Sequence, residues 1–233
     1  MKRSGTWRKY AMEFISIFVA VISAFALTNW NENQRDEAAA NKIMTEIANG
    51  LQKDLDDVNI NISGHQEGMN ACKYWRKVLQ GEEIDKDSLM VYYLAVTRDF
   101  FSAQNNSGYE TLKSRGLELI KNDSLRFDII SLYEYDYASL KTMEETYFEA
   151  QFQENYFLEI NRLLAPHFVF DAVGNIVDIE LPLRISEEER KILLAYLWKI
   201  QINRRFVMFY YASMEEKIQA IRKRIQAELK GWY

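Results

Sequence analysis

The sequence predicts an all-α protein in which an N-terminal transmembrane helix continues into a bundle of long helices carrying one small β-hairpin. Three observations predict it. Prolines and glycines number only 2 and 9 in 233 residues, so little interrupts a helix. The chain holds one long uncharged apolar run, from Phe14 to Asn31. Beyond it, apolar residues recur every three or four positions, except in one short stretch where the period falls to two.

With 48% hydrophobic and 14% aromatic residues, the chain can build one sizeable domain with an appendage. A formal charge of -5 lacks the basic footprint that a nucleic-acid binder needs to neutralise phosphates. Lys2, Arg3, Arg8 and Lys9 precede any acid, which leaves 25 basic against 34 acidic residues in the remainder. The single cysteine, Cys72, excludes an intrachain disulfide and a cysteine zinc site.

The first element is the span. The stretch FISIFVAVISAFALTNW, at about 1.5 Å per residue, nearly covers the roughly 30 Å of bilayer hydrocarbon. The basic flank before it and the acidic NENQRDE after it predict a cytoplasmic amino terminus and an exported remainder. Residues 1–9 then form a cytoplasmic tail, 10–30 the transmembrane helix and 31–233 the exported helical domain. Tyr10 and Trp30 bracket the run at the depth that amphipathic rings prefer, with Asn29 beside Trp30. Ala24-Phe25-Ala26 has the small-x-small form that a signal peptidase accepts. The length of the run and the helical pattern after Trp30 favour an uncleaved anchor. Glu13 is an acid at the edge of a span, where a proton relay can sit. It stands at the cytoplasmic boundary one turn from Lys9, where an ion pair costs little, and that bland reading is favoured. Ser16, Ala20 and Ala24 line one face with small side chains, a surface on which two membrane helices can pack closely.

The pattern Tyr10-x-x-Glu13, an apolar run and then Asn29-Trp30-Asn31-Glu32 resembles the start of an uncharacterised family of small single-pass inner-membrane proteins of Gram-negative bacteria. The segment Ser107 to Tyr133, SGYETLKSRGLELIKNDSLRFDIISLY, is similar to that family's second signature, Tyr-Glu-x-Leu-Lys-Ser-x-Gly followed by Leu-Ile and a Leu-rich helix. The resemblance covers much of residues 8 to 160. It implies an inner-membrane anchor and a periplasmic domain, and it brings no catalytic residues with it.

After the span, Ile43, Ile47, Leu51, Leu55, Val58, Ile62, His65, Met69, Cys72, Trp75 and Leu79 form one stripe. Joined to the span, this helix makes a rod of about 65 residues, near 100 Å, with Gly50, Gly64 and Gly68 as points where it can bend or break. QGEEIDKDS ends it, and LMVYYLAVTRDFF is short and apolar enough for a buried helix. Ser107 with Glu110 reads as a capping box, and Gly116 as the residue that stops the helix it opens. A second long helix begins after Asn122 or Asp123 and carries Leu125, Ile129, Tyr133, Tyr137 and Leu140 through Tyr156, Ile160 and Leu163, ending before Pro166. HFVFDAVGNIVDIELP then alternates, which predicts a hairpin at about 167–181 with Gly174-Asn175 as a two-residue turn. Two strands alone are marginal, so the hairpin should lie on a helix or pair with another subunit. Ser186 with Glu189 is a further capping box and opens a third long helix. Its middle, ILLAYLW and FVMFYY, is apolar nearly all round, yet Lys199, Arg204 and Arg205 interrupt it too often for a second span.

Chemistry-bearing constellations are sparse. The two histidines, His65 and His167, are far apart, and His65 on an apolar stripe reads first as a packed core residue. Cys72 on the same stripe reads as a small buried apolar group. The acids at Asp54 to Asp57, Glu82 to Asp87 and Glu187 to Glu189 lack calcium-loop spacing and suit helix starts and solvated faces. No HExxH, phosphate-binding GxxxxGK[ST], GxGxxG or GxSxG motif occurs. No catalytic, metal or cofactor residue is therefore assigned. At the carboxyl end, Arg222, Lys223, Arg224, Lys230 and Trp232 could touch anionic headgroups if the third helix returns to the bilayer. The expected role is a membrane-anchored structural or protein-interaction module that self-associates or docks an envelope partner, rather than an enzyme. A ligand-sensing subunit signalling through a partner and an envelope hydrolase are the alternatives.

Overall fold

The computed structural model describes residues 4–230, and side chains from residue 7; Trp232 lies outside that range. Helix α1, Ser4–Gln80, is unbroken over 77 residues, about 115 Å at 1.5 Å per residue. Its first part is unburied, and is long and apolar enough to cross a membrane. From Ala40 onward one stripe turns inward, with Ile43, Ile47, Leu51, Leu55 and Val58 buried as their spacing predicts. Gly50, Gly64 and Gly68 interrupt nothing. They are places where other segments press on the helix: a Cβ on Gly64 would stand 2.2 Å from the Phe100 ring, and one on Gly68 2.3 Å from the Arg204 guanidinium.

A short turn at Lys86–Ser88, capped by Asp85, leads into α2, Leu89–Ala95. Only the first half of LMVYYLAVTRDFF is helical, and Thr97–Asn106 then crosses the bundle as an irregular strap. Helix α3, Ser107–Arg115, stops at Gly116, whose φ of 113° a side chain would resist. The capping box expected of Ser107 and Glu110 does not form. Ser107 is already inside the helix, and its Oγ donates to Asn105 Oδ1 at 2.8 Å.

The second long helix comes in pieces. Helix α4, Asp123–Ser131, is capped by Asn122, which accepts from the Leu125 N–H at 3.1 Å. A wider π turn at Leu132–Asp136 joins it to α5, Tyr137–Thr146. At Tyr147 the backbone becomes extended, and helix resumes after Gln151, through a second π turn, into α6, Leu158–Leu164. The restart is capped from the strap. Asp99 accepts from the N–H groups of Phe152 at 2.8 Å and Gln153 at 3.2 Å, meeting donors that a helix start leaves free.

Strands β1, Phe168–Phe170, and β2, Ile176–Ile179, pair antiparallel, with Phe168 opposite Ile179 and Val169 opposite Asp178. Their connection is a five-residue loop, Asp171–Asn175, in place of the expected two-residue turn. Asp171 Oδ1 accepts from the N–H groups of Val173 and Asn175, and Gly174 takes φ 91°. An Asx-type loop thus outcompetes the Gly-Asn turn. The hairpin lies on a helix, with Ile179 buried and Phe168 5.3 Å from the Tyr93 ring of α2.

Helix α7, Glu187–Lys230, opens with the expected capping box: the Ser186 N–H donates to Glu189 Oε2 at 2.8 Å, and the Glu189 N–H to Ser186 Oγ at 3.2 Å. It packs antiparallel along α1, with Gln201 against Arg76 and Glu228 beside Ala40 and Met44. Two apolar clusters fill the bundle. The span-side cluster holds Leu51, Leu112, Leu125, Ile129 and Ile218, and the far cluster Cys72, Trp75, Leu89, Phe152 and Ile200. Between them lies a buried polar layer that includes Asn61, His65, Asn203 and Arg204. Alanine at position 68 should therefore destabilise the protein by about 1–3 kcal/mol despite alanine's better helix propensity. Gly50→Ala, whose Cβ would meet Asn105 at 3.3 Å, should stay within about 1 kcal/mol of the parent in denaturant unfolding.

Candidate functional site

The strap Thr97–Asn106 has no strand or helix to satisfy its backbone, and side chains from three helices do so instead. Arg204 of α7 is fully buried. Its Nη2 donates to the carbonyls of Val96 at 3.1 Å and Arg98 at 2.8 Å, with a longer contact of 3.4 Å to Ala95. Its Nη1 faces His65 Nδ1 at 3.1 Å, and its plane lies 4.2 Å from the centre of the Phe152 ring. The strap's N–H groups are taken by acids. Ser102 donates to Glu144 of α5 at 3.0 Å, Ala103 to Asp57 at 2.9 Å and Asn105 to Asp54 at 2.8 Å. Tyr211 donates to Glu144, and Tyr137 to Asp54 at 2.6 Å. One cation holds the carbonyls and three anions hold the amides, which matches the sign of each backbone dipole.

Burial sets the electrostatics. It pushes Asp54, Asp99 and Glu144 above the usual carboxylate range, against the hydrogen bonds that favour their charged forms. The same cause lowers Arg204 to about 10 and raises the Cys72 thiol to about 11. His65 falls to about 3, first through burial and then through the Arg204 charge. For His65 Nδ1 to accept from Arg204, its proton sits on Nε2, which is buried without a partner. The ring is packed among Phe100, Phe152 and Tyr211. Each carboxylate of the layer is engaged by donors, and no unoccupied acid faces a nucleophile across it. Chemically the layer is a lock on the strap. Among the described residues no group of three or more His, Cys, Asp and Glu side chains is arranged to hold a metal ion.

A different surface lies outside the layer. Trp198, Ile202, Phe206, Phe209 and Tyr210 of α7 are exposed, Phe209 by 72%. Beside them, between α5 and α7, runs a groove of about 700 Å³ lined by Tyr135, Met143, Tyr147, Phe206, Tyr210 and Met214. Tyr147, Phe206 and Tyr210 touch in sequence, with ring centres 5.3 and 5.1 Å apart. The π turn at Leu132–Asp136 places Tyr135 on the groove wall with 69% of its surface exposed.

The residues singled out in the span are separate from both features. Tyr10, Glu13, Ser16, Ala20, Ala24, Asn29 and Trp30 are all exposed along α1. The Ser16 hydroxyl donates to the Glu13 carbonyl at 2.8 Å and Thr28 to the Ala24 carbonyl at 3.0 Å, so these polar groups are satisfied within the helix. Among the described residues Glu13 makes no ion pair with Lys9, and its side chain stands free. At the other terminus, Glu228 lies beside Ala40 and Met44, so α7 does return toward the span. Counting along α1, Lys230 is level with a point about 15 Å past Trp30, and Arg222 to Arg224 about 25 Å past it. Arg224 is bonded to Asp128 and to Ser124 at 3.0 Å. Of the four cations, Lys230 lies nearest to the apolar run along α1. Comparison with protein-family models, curated proteins and solved structures gives no match to this chain.

His65 and Cys72 are buried, as their place on the apolar stripe predicts, whereas the sequence shows Arg204 only as an interruption of an apolar run. Replacing Arg204 by methionine removes the donor from two or three carbonyls and should cost about 3–5 kcal/mol. Limited proteolysis should then cut within Arg98–Phe101 well before global unfolding; an intact strap in that variant would contradict the lock. His65 supplies the pH test. Its folded pKa of about 3 lies below the ordinary 6.5, so the unfolded chain binds the extra proton. Its contribution is complete above pH 6.5 and is lost as pH falls toward 3, by about 1.4 kcal/mol per unit. Asp54, Asp99 and Glu144, raised by burial, act in the opposite sense in both proteins and cancel in a difference. The stability gap between the parent and His65→Gln should therefore shrink steadily from pH 6.5 to pH 4.5 in denaturant titrations. A constant gap would mean that His65 is not held neutral.

Proposed function

We propose that this chain is a membrane-anchored envelope protein that works through surfaces rather than chemistry, as a structural or interaction module. One observation carries the proposal: α1 passes from the apolar run into the bundle core without a break. A span and a domain that share one helix are a single rigid body, so a contact at either end orients the other. The acids of the polar layer support a role through surfaces, because they are bound to the N–H groups of the strap.

In this proposal residues 10–30 lie in the inner membrane, the amino terminus is cytoplasmic and the bundle is periplasmic. The charge bias across the run and the resemblance of the Asn29–Glu32 and Tyr109–Gly116 motifs support that placement. Self-association through the span is part of it. Ala24 precedes Leu51 by 27 residues, about seven and a half turns, so the face of Ser16, Ala20 and Ala24 looks away from the side that the bundle occupies. A second span can approach there without meeting the bundle.

The test uses the full chain in native membranes with Cys72→Ser and a single cysteine introduced by Thr28→Cys, one turn past Ala24. Oxidation should give a linked dimer that Ala20→Leu or Ala24→Leu reduces several-fold, while the protein resists carbonate extraction. Undiminished links in the leucine variants would remove the span contact, and release by carbonate would remove the anchor.

A further inference from the structure

The aromatic face of α7 is an unpartnered apolar surface of the bundle, and it has features that point to its occupant. Trp198, Phe206, Phe209 and Tyr210 with Tyr135 and Tyr147 across the groove are exposed by 38 to 72%. At about 200 Å² per aromatic side chain, they present on the order of 600 Å², and Ile202 brings the patch close to the roughly 800 Å² that one side of a standard protein interface buries. That is at or above the largest apolar patch usual on a monomer.

We propose that a second copy of this chain docks here, α7 against α7, with Phe209 of each copy seated in the groove between α5 and α7 of the other. The inference rests on the interaction-module reading above and names its partner. Three observations support a second copy. The patch is self-complementary, since it holds both a projecting ring, Phe209, and a groove of about 700 Å³ beside it; a two-fold contact needs both on one surface. A two-fold axis along the rods keeps both amino termini on the same side, so both spans enter one bilayer. Rods of identical length also bring the two patches to the same height.

Other occupants fit less well. Tyr211 packs on His65, 35 residues past Trp30, so the patch stands about 50 Å from the headgroup layer along α1, out of reach of lipid. A small ligand would need polar groups free to orient it. Glu134 is already bonded to Tyr109 and Lys113, and Asp136 to Lys217. Among the described residues none of the buried polar atoms without a partner lies on the groove.

The contact is on the side of the bundle away from α1, whereas the small-residue face of the span looks the other way. The two associations are therefore separable by experiment. In native membranes, the full chain with Cys72→Ser and Ser213→Cys, at an exposed position on the groove, should form a disulfide-linked dimer on oxidation. Adding Phe209→Glu should reduce that dimer at least tenfold. Because Phe209 is 72% exposed, the same substitution should leave the melting temperature within about 2 °C. Adding Ala20→Leu should leave the Ser213→Cys link intact, which distinguishes failure of the span contact from failure of this one. The proposal is overturned if Ser213→Cys gives no dimer, or if Phe209→Glu leaves the dimer undiminished. It is equally overturned if the cysteine links to a different protein while the chain itself stays monomeric in nanodiscs.

Discussion

A guanidinium buried between two apolar clusters is costly unless its five donors and its charge are both accounted for. In this protein Arg204 meets most of that demand with backbone carbonyls and an aromatic face rather than with an ion pair. Asp99 acts on it through space, while its own oxygens cap the restart of the helix at Phe152 and Gln153. One residue thus ties α7 to the strap, the strap ties the break after α5 to α6, and both press on α1 at Gly64 and Gly68. The glycines are small because the arginine and Phe100 must come that close. Removing any one of these groups leaves the others with unmet hydrogen bonds or a void, which makes the layer cooperative in a way that the flanking apolar clusters are not.

The continuity of α1 gives that layer mechanical meaning. An apolar helix joined to a domain through a flexible linker transmits no orientation. Here the same hydrogen-bonded ladder runs through the apolar run and the bundle, which grips it over more than ten turns, from Ala40 to Leu79. Rotation of the apolar run about its own axis becomes rotation of the aromatic face of α7. The angular relation between the small-residue face of the apolar run and the exposed rings of α7 is fixed by the helical ladder of α1 and its packing against α7.

The fold was legible in the sequence wherever a local pattern decided it. The stripe from Ile43 to Leu79, the capping box of Ser186 and Glu189 and the alternation around Val169 and Val177 each encode their element within a few residues. What escaped was decided by partners distant in sequence. The split after α5 depends on Asp99, fifty residues earlier, capping Phe152. Ser107 and Glu110 have the spacing of a capping box, but the neighbouring Asn105 is drawn onto Asp54 and takes the serine hydroxyl itself. The Gly174-Asn175 turn lost to Asp171, whose carboxylate gathers the loop's amides. Arg204 is the sharpest case: beside Arg205 in the sequence nothing separates them, yet one is fully buried and the other exposed.

The same limit explains why FVMFYY reads as core while half of it faces outward. A helix that is apolar on one stripe needs one neighbour, and a helix that is apolar nearly all round needs cover on both sides. The inward face of α7, with Val207, Tyr211, Met214 and Ile218, is covered by α1, α4 and α5. Phe206, Phe209 and Tyr210 are three of the six residues in that run, and the chain covers Phe206 and Tyr210 only in part and leaves Phe209 mostly exposed. Exposed aromatic rings carry a standing penalty in water of about 25 cal/mol per Å² of apolar area, which polar substitutions at those positions would avoid without disturbing the inward face. A sequence that keeps several large rings together on one outward face of a helix is most simply explained if that face, too, is an interior once the protein has assembled.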